Sequence, residues 1–241
     1  MSYQRFVYRD PEETAVHCAA QVVTRLEQAL AGQAHASFAI SGGSTPKPLF
    51  SQLAKSQLDW SRIQLFWVDE RPVGPADPQS NFVSAYESLI HPARVPNRNV
   101  HRIHGELRPD EAARRYDEEM RLVLRLSREQ LPHFDVIHCG LGADGHCASL
   151  FPGEPLLEDR DNLCGAVWVE KLGQWRITLL PGVLLAAKHI VFYVTGEGKA
   201  QAVRDILEGE YEPSRLPAQL IAHHARHVVW FLDKPAAALL G

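Results

Sequence analysis

Short apolar runs alternate with helix-length amphipathic stretches along most of this chain, and few folds accept that order. Ser37–Ile40, Ile63–Val68, Phe134–Cys139, Ile190–Thr195 and Val228–Leu232 have strand length and are mainly apolar, as strands buried on both faces are. Between them, the stretch Pro11–Leu30 places Ala15, Cys18, Ala19, Val22, Val23, Leu26 and Leu30 on one helical face. Asn81–Leu89, Pro109–Leu126 and Gly198–Leu207 also read as helices, with Ala166–Val169 and Arg176–Leu179 as shorter β candidates. This order predicts an α/β fold in which a mostly parallel, Rossmann-like sheet is covered by helices on both faces. The 241 residues contain no internal repeat and no long linker, so 1–241 reads as one domain.

In such a sheet ligands bind beyond the carboxyl ends of the strands. Three strand ends are polar here: Ser41–Thr45, Asp69–Arg71 and Gly140–His146. Ser41-Gly42-Gly43-Ser44-Thr45-Pro46 runs into a predicted helix, with Ser44 or Thr45 as its cap and Pro46 in its first turn. The free N–H groups and dipole of a helix start attract an anion such as phosphate. A plain helix cap accounts for Ser44 and Thr45 but not for the paired glycines before them. The Gly-Lys-Ser/Thr ending of a nucleoside triphosphate loop is absent. Arg71, Arg176 and Lys199 each read alone as surface or structural cations. A lysine at a helix start, as Lys199 is, sits badly unless an anion sits there too. Together with the 41–45 loop, the three fit a phosphate pocket.

The segment Gly140–Gly153, GLGADGHCASLFPG, is the most informative stretch of the chain. Gly140, Gly142 and Gly145 match the glycine spacing of dinucleotide-binding loops, but that pattern needs the first strand of a parallel sheet and an acid ending the next one. Here the loop lies past the middle of the chain, and Glu158, Asp159 and Asp161 fall in a polar stretch. The glycines read better as a mount for Asp144 and His146, a carboxylate and an imidazole suited to proton transfer. The bland reading is a structural turn with a solvated histidine.

Other classes are disfavoured. A net charge of −4 without a basic run argues against nucleic acid as a partner. No apolar stretch is long enough to cross a membrane, and no signal-peptide core follows Met1. Cys18, Cys139, Cys147 and Cys164 form no metal-type pair and suggest free thiols in a reducing, cytoplasmic compartment. His223, His224 and His227 read as a helix end and turn, and no metal is expected.

Taken together, these segments resemble the 6-phosphogluconolactonases. The matching pieces are Ser-Gly-Gly-Ser-Thr-Pro at 41–46, Asp-Glu-Arg-Pro-Val at 69–73, Ser80-Asn81, Val100–Glu106, the 140–153 loop, Arg176-Ile177-Thr178 and Gly198-Lys199-Ala200. The resemblance covers almost the whole chain and implies a three-layer α/β sandwich shared with glucosamine-6-phosphate deaminases. It also implies hydrolysis of 6-phospho-D-glucono-1,5-lactone, in the oxidative pentose phosphate pathway, without a metal or organic cofactor; whether a monomer or a small homo-oligomer does this is left open by the sequence. Carried over position by position, His146 becomes the general base. Ser41, Gly42, Gly43, Ser44, Thr45, Arg71, Arg176 and Lys199 become the groups that hold phosphate and sugar acid. Cys147 stands where the family commonly has threonine, and Leu180 and Leu185 replace polar residues.

A lactone is an activated ester, so water deprotonated by a neutral histidine can attack its carbonyl without a protein nucleophile. Asp144 is a candidate to orient the imidazole, and N–H groups of the glycine loops to meet the oxyanion. Three rivals stay open on sequence. Cys147 is a potential nucleophile beside His146. A deaminase would carry a glutamate where Phe151 stands. A sugar-phosphate sensor would bind without turnover.

Overall fold

The computed structural model describes residues 3–241. In chain order it comprises β1 (Tyr3–Tyr8), α1 (Pro11–Gly32), β2 (Ala36–Ile40), α2 (Lys47–Ala54), β3 (Ile63–Trp67), β4 (Asp69–Glu70), α3 (Asn81–Ala85), β5 (Val100–His101) and α4 (Pro109–Leu124). Then follow β6 (Val136–Cys139), β7 (Cys164–Val169), β8 (Gln174–Leu179), α5 (Pro181–Ala186), β9 (Ile190–Val194), α6 (Ala200–Leu207), α7 (Ala218–His224) and β10 (Val228–Asp233). Seven strands form one parallel sheet in the order β1-β10-β9-β6-β2-β3-β5.

The sheet is central because its strands are apolar on both sides. Every residue of β2, β6, β9 and β10 is buried, which requires cover above and below. Adjacent residues on β3 show the two layers: Phe66 packs near Tyr116 of α4, and Trp67 near Phe82 of α3. Tyr193 of β9 donates its hydroxyl to the Pro11 carbonyl of α1, while its neighbour Phe192 stacks on Trp230 with centroids 3.9 Å apart. The edge strand β1 has an exposed middle, and so lacks the apolar signature that marks the others.

Strand order reverses between β2 and β6. From β2 the chain steps outward through β3 to β5, and from β6 it steps the other way through β9 to β10, beyond which the first strand, β1, forms the edge. A crevice opens beyond the carboxyl ends at such a switch point, and the loops that leave it are 41–46 and 140–146. They are tied together at once: Ser41 N–H donates to the His138 carbonyl at 3.1 Å, and Gly140 N–H donates to Ser41 Oγ at 3.2 Å. At the opposite end of the same strands the buried Asp135 carboxylate accepts from Ser37 N–H and Gln33 Nε2, each at 2.8 Å, and from Lys188 Nζ at 2.7 Å. That network ties β2, β6 and the start of β9 together at the end away from the crevice.

A second sheet, antiparallel and in the order β4-β8-β7, lies beside the crevice. The β candidates 166–169 and 176–179 become the arms of its hairpin. Two helix readings need correction. Neither Ser44 nor Thr45 caps α2: Pro46 is the cap residue and makes no side-chain cap bond. The helix expected over 81–89 is α-helical only to Ala85 and continues as a wider π turn, with His91 N–H bonding back to the Tyr86 carbonyl at 2.9 Å. No helix among the described residues is long and apolar enough to cross a membrane.

Candidate active site

The crevice holds a cavity of about 170 Å3 lined by residues from all three polar strand ends. Ser41, Gly42 and Thr45 line it from the first loop, Asp69 and Arg71 from the second, and Gly140, Gly142 and His146 from the third, together with Lys199. Gly43 and Ser44 face an adjoining groove that they share with Arg71. Arg176 does not line the cavity, although its charge acts on His146.

The 140–146 loop closes on itself. Gly142 N–H donates to the His146 carbonyl at 2.8 Å and Gly145 N–H to the Gly142 carbonyl at 3.0 Å, with Gly145 in the left-handed region at φ 80. This fold-back brings Asp144 Oδ1 to 2.5 Å from His146 Nδ1. The contact fixes the tautomer: Nδ1 carries the proton toward the carboxylate, and Nε2 keeps its lone pair. Gly142 lies under that pair, and a β-carbon there would overlap both His146 Nδ1 and the Asp144 carboxylate. Gly142→Ala is therefore expected to lower kcat about 100-fold through displacement of the imidazole, with circular dichroism unchanged; wild-type turnover would refute this.

His146 packs against Phe151, with ring centroids 4.2 Å apart and the rings tilted by 34°. Burial, the largest cause, pushes its pKa down to about 4; Asp69 opposes this, and the charges of Lys199, Arg176 and Arg71 add to the lowering. The imidazole is thus neutral across the physiological range.

Three cations converge on the site without carboxylate partners. Arg71 donates to the Gln79 carbonyl, and its Nε is buried without a partner. Arg176 donates to the Gln174 side chain at 2.5 Å and to the Trp175 carbonyl at 3.0 Å. Among the described residues, none of Arg71, Arg176 and Lys199 meets a carboxylate within salt-bridge distance. Burial lowers the pKa of Lys199; burial and the neighbouring Arg71 lower that of Arg176. Half-buried cations that repel one another are an arrangement waiting for an anion.

The Asp-Glu-Arg strand end divides its work. Glu70 is buried and accepts from Ser80 Oγ and from the N–H groups of Arg71, Asn81 and Phe82, at 2.8–2.9 Å, so it clamps the start of α3. Burial raises its pKa even so. Asp69 faces the cavity and accepts from Ser149 Oγ at 2.7 Å. Asp69, Asn81 and the buried His138 line the cavity without having been assigned a role from sequence. Of these, Asp69 and Asn81 stand in segments that carry the resemblance, whereas His138, inside an apolar strand, carried no signal.

Cys147 is fully buried, and burial pushes its thiol up to about 12, which removes it as a nucleophile. Leu180 is buried, Leu185 packs against the core, and neither lines the cavity.

The family model for glucosamine-6-phosphate isomerases and 6-phosphogluconolactonase matches residues 9–230. A 6-phosphogluconolactonase of Synechocystis is 36% identical over 225 residues, covering 93% of this chain and 91% of the relative. The human 6-phosphogluconolactonase is 35% identical over 243 residues, covering 97% and 92%. The crystal structure of a 6-phosphogluconolactonase from Thermotoga maritima superposes with a TM-score of 0.84 at 27% identity, covering 97% of this chain and 100% of that one.

Proposed function

The chain belongs to the family of glucosamine-6-phosphate isomerases and 6-phosphogluconolactonases, and within it we infer that the protein hydrolyses 6-phospho-D-glucono-1,5-lactone to 6-phosphogluconate in the pentose phosphate pathway. The observation that carries the mechanism is the neutral His146, held through Nδ1 by Asp144 beside a ring of unpaired cations. Nε2 takes a proton from water as the water attacks the lactone carbonyl, and the resulting imidazolium returns it to the leaving ring oxygen. Arg71, Arg176 and Lys199 take the phosphate and the sugar acid, together with the 41–45 loop.

Oxyanion stabilisation falls to a narrower set of amides than the glycine pattern suggests. The N–H groups of Gly140, Gly142 and Gly145 are spent inside their own loop and on Ser41. Among the described residues, the amides of Gly42 to Thr45 donate to no protein acceptor, and of these four residues Gly42 and Thr45 line the cavity. Phe151, where a deaminase would need a proton-carrying glutamate, is buried against the imidazole and carries no proton.

The lactone also hydrolyses unaided, so the test generates it in place with a coupled dehydrogenase and follows acid formation. Purified protein is expected to raise the rate well above the blank. Binding of 6-phosphogluconate without acceleration would favour a sensor. Release of ammonia from glucosamine 6-phosphate with no effect on the lactone would favour a deaminase.

A further inference from the structure

One cation near the site does have a carboxylate partner. Lys171 lies on the single turn between β7 and β8, ahead of Gly173 in the left-handed region at φ 56. Its ammonium pairs with Asp144 Oδ2, the carboxylate oxygen that His146 leaves free. The same ammonium lies 4.8 Å from the centroid of the Phe151 ring, against which the imidazole also packs. Lysine and histidine are thus held by the same two side chains, from opposite ends of one carboxylate.

The hairpin that carries Lys171 is seated firmly. Val167 and Val169 of β7 form a small buried cluster with Phe151, with Leu156 packed on it. β8 pairs with β4, which positions Arg71, and itself carries Arg176. One hairpin therefore connects the groups proposed to hold the substrate with the carboxylate that orients the base.

A lone carboxylate so close to an imidazole would stabilise the imidazolium, making the histidine a well-oriented but already protonated base. A cation on the far oxygen cancels that charge while leaving the hydrogen bond and its direction intact. We propose that Lys171 is a positioning residue of the reaction centre, whose ammonium neutralises Asp144 so that the carboxylate orients His146 without charging it. The proposal rests on the reading of His146 as general base. His146 is also faced by Asp69, Lys199, Arg176 and Arg71, and these stay in place when Lys171 changes.

The test compares the full-length wild type with Lys171→Met and Lys171→Arg. Lys171→Met is expected to lower kcat about 10- to 100-fold with KM within about 2-fold of wild type. In the same variant the His146 midpoint, followed by NMR without substrate, rises. Lys171→Arg is expected to restore most of kcat and return the midpoint toward wild type. A Lys171→Met protein with wild-type kcat and midpoint overturns the proposal. So does a rise in KM at unchanged kcat, which would make Lys171 a substrate ligand, or an arginine variant that recovers nothing. Failure of the base reading shows up separately, as a wild type that does not accelerate lactone hydrolysis. The substrate-free titration still decides the role of Lys171 in that case.

Discussion

Replacing His146 with asparagine is expected to lower kcat for lactone hydrolysis about 100- to 10,000-fold, the range a positioned general base supplies. Asparagine keeps a polar group near Asp144 and the packing on Phe151 but offers no nitrogen lone pair for a proton. The variant should therefore still bind 6-phosphogluconate and keep the wild-type thermal transition. Turnover within a few-fold of wild type would remove His146 from the chemistry. The pH dependence carries a second check. A base must be unprotonated, so kcat falls as pH drops through the imidazole pKa of the substrate complex. In the free protein that pKa is held down to about 4 by burial and by three cations. A bound phosphate dianion offsets those cations, so the midpoint in the complex lies above the free value. NMR titration of the wild type with and without 6-phosphogluconate checks this shift and its sign.

The parts of this fold that were legible in sequence are those in which one chain segment carries its own signal. β2, β3, β6, β9 and β10 are apolar on both faces because the sheet is covered on both faces, and that alone gives the α/β reading. β1 escaped because its exposed middle has no core to face. The antiparallel sheet escaped because its register joins Asp69 to Thr178, distant segments that neither reveals alone. Loop chemistry was legible by type and not by direction. Ser44 and Thr45 have the composition of helix caps, yet the backbone hands that position to Pro46. Asp144 and His146 were identifiable because both stand on one glycine turn. Lys171 was not, because its tie to Asp144 exists only once the hairpin packs on Phe151. Phe151 itself read as a missing glutamate, whereas in the fold it is the surface on which both the imidazole and the ammonium rest.

Removing the cation at the start of α6 should produce two effects with one cause. Lys199→Met is expected to weaken binding of 6-phosphogluconate about 10- to 100-fold, the loss of one charge-assisted contact of roughly 1.5–3 kcal/mol. It should raise KM for the phosphorylated lactone correspondingly. The unphosphorylated lactone, with no phosphate to hold, should lose far less, and that contrast separates a phosphate ligand from a structural lysine. Lys199 also heads the cations that depress His146, so its removal lets the imidazole accept a proton more readily. The midpoint of His146 should move up from about 4 toward the ordinary 6.5. The sign carries over to stability: a histidine buried neutral stabilises the fold above its unfolded pKa, and that contribution is lost as pH falls through its folded pKa. With Lys199 gone the window between the two narrows, so the part of acid destabilisation that comes from His146 becomes smaller in the variant. Unchanged phosphate affinity together with an unmoved His146 midpoint would place Lys199 outside the site.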